Sequence, residues 1–249
     1  MPSFNSLAGK KVSDFDLPEQ YDSPVKQTNL LAKVFGVMFI SLLFTSALSY
    51  GFAFLFSRFY NEGNEFMSDL MLVILIASAI GICVMAFVLR LVYSKGKHSI
   101  LPSYIIFLAL MSITISSVYL VYDIKMIIYA FGVSALAFGA MALFGYFFKG
   151  SIKSVLIVII GALIGFTVLV FLNLFIGSNE VDWIASLLIL AIILFITLID
   201  VKSIKDTIYV GNSFSYNIVL YSAFMLYVDF IDIFLRILYY LVIISSKKK

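Results

Sequence analysis

Seven long apolar runs alternate with short polar segments along the chain. Each run reaches or approaches the 20 or so residues that an α-helix needs to cross the hydrocarbon core of a bilayer. The predicted spans are residues 31–56, 70–92, 102–122, 126–148, 155–176, 183–199 and 218–244. Inside a bilayer a chain must satisfy its backbone polar groups internally, so each run predicts a helix. The pattern therefore predicts an all-α, polytopic membrane protein, a bundle of seven transmembrane helices.

The polar ends of the chain set the expected domain limits. Residues 1–28 are predicted to be a polar cytoplasmic tail, 29–246 the seven-helix domain and 247–249 a basic tail. The first segment lacks the apolar core of a signal peptide, so it should remain on the side where the chain is made. With the N-terminus inside, the inner side holds eleven Lys and Arg residues against five on the outer side, which fits the positive-inside rule. We therefore expect a multi-pass protein of the cell membrane with a cytoplasmic N-terminus.

The last lysines leave one alternative open. If the final segment re-entered the membrane and returned the C-terminus inside, the count would be fourteen against two. Residues 218–244 nevertheless form one run without Gly or Pro, which spans roughly 40 Å as a helix. This length favours a full seventh span.

Composition supports the membrane class and excludes others. Hydrophobic residues make up 63% of the chain and charged residues 12%, whereas soluble domains are about half apolar and one quarter charged. The net charge of +3 comes without a basic block, so no nucleic-acid partner is expected. One His, one Cys and the lack of HExxH, GxSxG or phosphate-loop motifs indicate that the protein is not an enzyme. No cofactor is expected, apart from transient calcium.

The seventh span carries ionisable residues that a lipid-facing helix would not tolerate. Asp229, Asp232 and Arg236 are three and four residues apart, so they share one helical face. The 18 Leu, Ile, Val, Phe and Met residues of this run favour insertion by roughly 5 to 11 kcal/mol, and three central charges oppose it by roughly 8 to 10 kcal/mol. The helix is therefore predicted to lie at the centre of the bundle, with its charged face against other helices or water.

Each ionisable residue in or near the spans has a functional and a structural interpretation. Asp229, near mid-membrane, is predicted to bind an ion or a proton. The alternative is that its side chain only forms a structural bond to a neighbouring helix. Asp232 is a third candidate acid, and Asp232 and Arg236 are spaced to neutralise each other. Asp200 ends the sixth span as an interfacial charge or as the partner of Asp229. Arg90, near the inner end of the second span, either reaches the headgroups or faces the acids.

Several segments resemble the Bax inhibitor-1 (transmembrane Bax inhibitor motif) family, bacterial type. Leu226–Phe234, which reads LYVDFIDIF, is similar to the family signature LYLDFINLF. Further similarities lie in Ser112–Tyr122, in Phe138–Tyr146, and in Ile199-Asp200 with Ile204-Lys205. Together the motifs extend from the third span to the seventh.

The resemblance implies a pH-sensitive calcium leak in a seven-helix bundle whose last helix is central. In that picture Asp200 and Asp229 share a proton, bind the metal and gate the pore, and Arg90 pairs with Asp200 in one state. Asp232 stands where the family has Asn, and Arg236 has no family counterpart at that spacing. These departures bear on calcium selectivity and on the working pH range.

The chemistry of the residues is compatible with this picture. Two carboxylates held close in a low-dielectric bundle cannot both remain ionised cheaply, and calcium prefers oxygen ligands. Three functions remain open from the sequence: a passive channel for calcium or other cations, a proton-coupled transporter, and a regulator of a membrane partner. Bacterial members of the family make a membrane protease the candidate for that partner. The lipid bilayer and calcium or protons are the other expected partners.

Overall fold

The computed structural model describes residues 24–61, 65–95, 99–210 and 216–246, and these residues form seven helices. The helices are α1 (Pro24–Asn61), α2 (Glu65–Lys95), α3 (Leu101–Val121), α4 (Ile124–Phe147), α5 (Ile152–Ile176), α6 (Asn179–Val210) and α7 (Tyr216–Ser246). All seven are long and apolar enough to cross a membrane. The predicted all-α, seven-helix architecture is confirmed. Of the predicted tails, residues 1–23 and 247–249 lie outside the described residues, and α1 begins at Pro24.

Local signals set the helix ends in the short connections. Pro102 occupies the first turn of α3, where its missing N–H removes no helical hydrogen bond. Asp123 caps α4, because its side chain accepts a hydrogen bond from the backbone N–H of Lys125 at 3.2 Å. Gly177 ends α5 in the left-handed conformation (φ 66°), and its N–H donates to the Asn173 carbonyl at 2.8 Å. These caps allow the tight connections from α3 to α4 and from α5 to α6.

Helix α7 is the central element of the bundle. It packs against α1, α4 and α6, and it also contacts α2 and α3. Leu226, Tyr227 and Ile233 are completely buried. Within the most apolar stretch of each helix, 67% of the residues of α7 are buried against 6% of those of α5. The predicted central position of the last helix is therefore confirmed, and α5 is peripheral.

Hydroxyl groups on one face of α1 fix that helix to its neighbours. The Ser41 and Tyr104 hydroxyls lie 2.7 Å apart, which joins α1 to α3. One turn later, the Thr45 and Tyr227 hydroxyls lie 2.9 Å apart and join α1 to α7. Lipid-embedded helices gain no hydrophobic driving force for association, so such interhelical hydrogen bonds help to specify the packing.

Helices α4 and α6 approach closely at one glycine. A Cβ atom at Gly145 would lie 2.6 Å from the backbone carbonyl oxygen of Leu198. Nearby, the Lys205 ammonium donates to the Tyr146 carbonyl at 2.7 Å and satisfies an acceptor in the last turn of α4. These two contacts fix the position of α6 along the axis of α4, next to the segment that carries Asp200.

Candidate ion site between α6 and α7

The Asp229 carboxyl is the most buried charged group of the site. It lies near the middle of α7 and is 7% exposed. The Thr197 hydroxyl of α6 is within hydrogen-bonding reach of this carboxyl. The Oδ2 atom has no hydrogen-bond partner among the described residues. A buried polar oxygen without a partner is costly, so a proton or a cation at this position would be stabilising.

Asp200 lies on α6, three residues after Thr197 and on the same face. The helical rise places it about 4.5 Å farther along α6 than Thr197, and therefore offset from Asp229 along the bundle. Asp200 is half-buried, and its charge acts on Asp229. The structure thus brings Asp200 and Asp229 together at the interface of two helices.

Asp232 and Arg236 continue the line of charged groups along α7. Asp232 is exposed, and its charge also acts on Asp229. Arg236 is half-buried, and its guanidinium donates to the Ser186 hydroxyl of α6 at 3.2 Å. It lies in electrostatic range of Asp232, but no ion pair within 4.0 Å joins the two in the described part of α7. Asp232 and Arg236 therefore attract each other electrostatically but do not form the direct ion pair that their spacing suggested.

Arg90 lies at the Asp200 end of the site. It is exposed on α2, one turn before Tyr93, whose ring stacks on that of Tyr221 of α7 at 4.1 Å between centroids. Tyr221 lies in electrostatic range of both Arg90 and Asp200. For the side chains described in α2 and α6, Arg90 and Asp200 form no ion pair. The tyrosine stack brings Arg90 near the acids without direct contact.

Accessibility changes along this row of acids. Asp200 is half-buried, Asp229 is buried and Asp232 is exposed. Charged residues within membrane spans are stabilised when they face the interior of the bundle or a water-filled cavity, because lipid solvates them poorly. The row places one buried acid between two more accessible ones. Within the described residues, no three His, Cys, Asp or Glu side chains are grouped so as to hold a metal ion.

Three residues of this site were absent from the sequence-based set. Thr197 is within hydrogen-bonding reach of Asp229, Tyr221 lies in electrostatic range of both Arg90 and Asp200, and Ser186 accepts a hydrogen bond from Arg236. The position of Thr197 three residues before Asp200 was a usable signal, since it puts both side chains on one helical face. Tyr221 and Ser186 carried no such signal.

A family model matches almost the whole chain. The family model described as "Inhibitor of apoptosis-promoting Bax1" matches residues 27–247 of the chain. The chain belongs to the Bax inhibitor-1 family. The match confirms the resemblance found in the sequence motifs, and it covers all seven helices almost completely.

The chain is similar to bacterial relatives over most of its length. It is 28% identical over 218 residues to "Inner membrane protein YbhL" of Escherichia coli K12, covering 84% of this chain and 88% of the relative. It is 24% identical over 240 residues to a protein of Borreliella burgdorferi, covering 91% and 97% of the two chains. It is 30% identical over 162 residues to a membrane protein of Streptococcus pyogenes serotype M1, covering 62% and 68%. No solved structure gives a significant match. This Bax inhibitor-1 family member is a multi-pass membrane protein with an inner-membrane homologue.

Proposed function

We propose that the protein is a pH-sensitive leak channel for calcium or other cations, gated by Asp200 and Asp229. The observation that carries the proposal is the buried Asp229 carboxyl, which has one unpartnered oxygen and lies within range of two other acids. A role in transport rather than in catalysis is part of the proposal. The family membership supports it, because the signature that contains Asp229 is present in the chain.

Competition between a proton and a cation supplies the pH dependence. Two neighbouring carboxylates in a low-dielectric site lower their mutual repulsion by sharing a proton or by binding a cation. Calcium takes six to eight oxygen ligands, so Asp200 and Asp229 would supply part of its shell and water the rest. Lowering the pH adds protons to the same oxygens and therefore reduces cation occupancy.

Charged groups on either side of Asp229 complete the proposed path. Asp232, exposed on α7, attracts cations toward the buried acid from one side. Arg90, exposed near Asp200, is the group that would pair with Asp200 in a second state of the protein, in which no cation neutralises the acid; the two are not paired in the state described above. With the N-terminus in the cytoplasm, Asp200 and Arg90 face the cytoplasmic side and Asp232 lies toward the other side.

Calcium flux into proteoliposomes tests the proposal. The purified protein is reconstituted with a calcium dye inside, and initial flux is measured at pH 6 and pH 8 for the wild type and Asp229→Asn. We expect a flux that differs between the two pH values in the wild type and a pH response that is lost in Asp229→Asn. The matched control is Asp69→Asn, which removes an exposed carboxylate at the start of α2.

Unchanged flux and an unchanged pH response in Asp229→Asn would refute the role of the acid pair. The same row of one buried and two accessible acids also suits a proton relay, which is the specific feature that favours a proton-coupled transporter. Flux that requires an imposed proton gradient would favour that function. If the pure protein gives no flux but copurifies with a membrane protease, a regulatory function replaces both.

A further inference from the structure

A groove between α1 and α4 is separate from the acidic site. Both helices pack on α7; in the segments that the structure describes their backbones stay apart, and the Phe35 and Phe138 rings meet edge-to-face with 6.3 Å between centroids. The space between them has a volume of about 810 Å³. Its walls and floor include Phe35, Met38 and Leu42 from α1, Ala135 and Gly139 from α4, and Phe230 from α7. The groove is therefore hydrocarbon-like and lies at the lipid-facing side of the bundle.

The groove is at least as long as one leaflet of a bilayer is thick. Its lining runs from Leu31 to Leu42 on α1, about 16 Å along the helix, and from Phe131 to Tyr146 on α4, about 22 Å. Half of the hydrocarbon core is about 15 Å thick. Leu31 lies at the start of the α1 span and Leu42 near its middle. The groove thus extends from the membrane interface on the side where α1 begins to the centre of the bilayer and, along α4, somewhat beyond it.

A cation lies at the interfacial end of this groove. Tyr146, in the last turn of α4, lines the groove at that end. The Lys205 ammonium lies 4.6 Å from the centre of the Tyr146 ring and remains partly exposed. A lysine at the membrane surface attracts anionic lipid headgroups. An anionic phospholipid has an apolar tail and a negatively charged headgroup. The groove offers an apolar surface for the tail and an ammonium near its interfacial end for the headgroup.

We propose that the groove binds an acyl chain of an anionic phospholipid, drawn from the leaflet on the side where α1 begins, with the headgroup near Lys205. A helix from a second copy of the chain is the alternative occupant. It would cover the apolar lining, but it leaves the ammonium at the interfacial end of the groove unexplained. This inference concerns a lipid site and is independent of the proposed cation path.

Two glycines provide a matched test. A Cβ at Gly139 or at Gly161 would meet nothing within 4 Å, so the first atom of a larger side chain is accommodated equally at either position. Gly139 lines the groove, whereas Gly161 is exposed on the peripheral α5. Gly139→Leu should fill the groove, and Gly161→Leu makes the same chemical change elsewhere. Ala135→Leu is a second groove-filling variant in case Gly139→Leu does not fold.

Native mass spectrometry of the delipidated full chain measures binding. The protein is incubated with phosphatidylglycerol or with phosphatidylcholine of identical acyl chains, and retained lipid is counted per protein. We expect the wild type and Gly161→Leu to retain one phosphatidylglycerol, and both groove-filling variants to retain at least about fivefold less. Lys205→Gln should reduce the preference for phosphatidylglycerol over phosphatidylcholine by roughly fivefold, the effect of one interfacial lysine.

Two results would overturn the lipid assignment. Retention of phosphatidylglycerol at the wild-type level by a folded Gly139→Leu or Ala135→Leu variant would place the lipid elsewhere. Conversion of a wild-type dimer to a monomer by these variants, without a change in retained lipid, would identify the groove as an interface between copies of the chain.

Discussion

The close approach of α4 and α6 at Gly145 leads to a quantitative prediction about helix packing. Replacing Gly145 by Ala places a Cβ 2.6 Å from the Leu198 carbonyl oxygen and 3.1 Å from the Val201 Cβ. Ordinary contacts between carbon and a carbonyl oxygen begin at about 3.3 Å. The first contact is with the backbone, so it cannot be relieved by a side-chain rotation. Helix α6 must therefore move by roughly 0.7 Å to accept the methyl group.

The expected cost follows from measured overpacking. Extra methyl groups in a tightly packed interior typically destabilise a protein by about 1 to 3 kcal/mol. Alanine also favours the helix over glycine by about 1 kcal/mol, which partly conceals this cost. Gly139→Ala on the same helix contributes the same helical gain, but its Cβ meets nothing within 4 Å. The difference between the two variants therefore isolates the contact with α6, at about 1 to 3 kcal/mol.

Thermal unfolding in detergent is the appropriate assay. For chains of this size, 1 kcal/mol shifts Tm by about 2 to 4 °C, so Gly145→Ala should melt roughly 2 to 12 °C below Gly139→Ala. Because Leu198 lies between Thr197 and Asp200, Gly145→Ala should also alter calcium flux, whereas Gly139→Ala should not. Equal Tm values for the two variants would show that α4 and α6 do not approach at Gly145 as the structure has them.

Three further variants address the hydrogen bonds and charges around the site. Tyr227→Phe should destabilise the protein by about 0.6 to 1.7 kcal/mol, because it leaves the Thr45 hydroxyl without its partner on α7; an unchanged Tm would contradict this. Thr197→Val keeps the volume but removes the hydroxyl, which donates to the Ile193 carbonyl at 3.1 Å and lies within hydrogen-bonding reach of the Asp229 carboxyl, so the midpoint of the flux–pH curve should shift while the Tm changes little. Asp232→Asn should raise the calcium concentration for half-maximal flux by about two- to tenfold yet preserve a pH response; an unchanged concentration dependence would exclude Asp232 from the path.

Much of the candidate site could be predicted because helical spacing is regular. The intervals of three and four residues in the last span place Asp229, Asp232 and Arg236 on one face whatever surrounds the helix. The cost of those charges in lipid also predicts that this helix is central, and α7 does lie at the centre. Periodicity alone could not supply the partners of that face, because Thr197 and Ser186 come from another helix.

The sequence by itself determined the class of protein, the seven spans and the central helix. A bilayer requires a minimum length of apolar helix and penalises unscreened charge, and both properties can be read from each segment separately. Only the tertiary structure decided which helices are neighbours. It placed Thr197 beside Asp229, kept Arg90 out of an ion pair with Asp200, and left an apolar groove between α1 and α4. These outcomes depend on close packing at small residues such as Gly145 and on hydrogen bonds between helices. The hydropathy of the sequence contains no information about either.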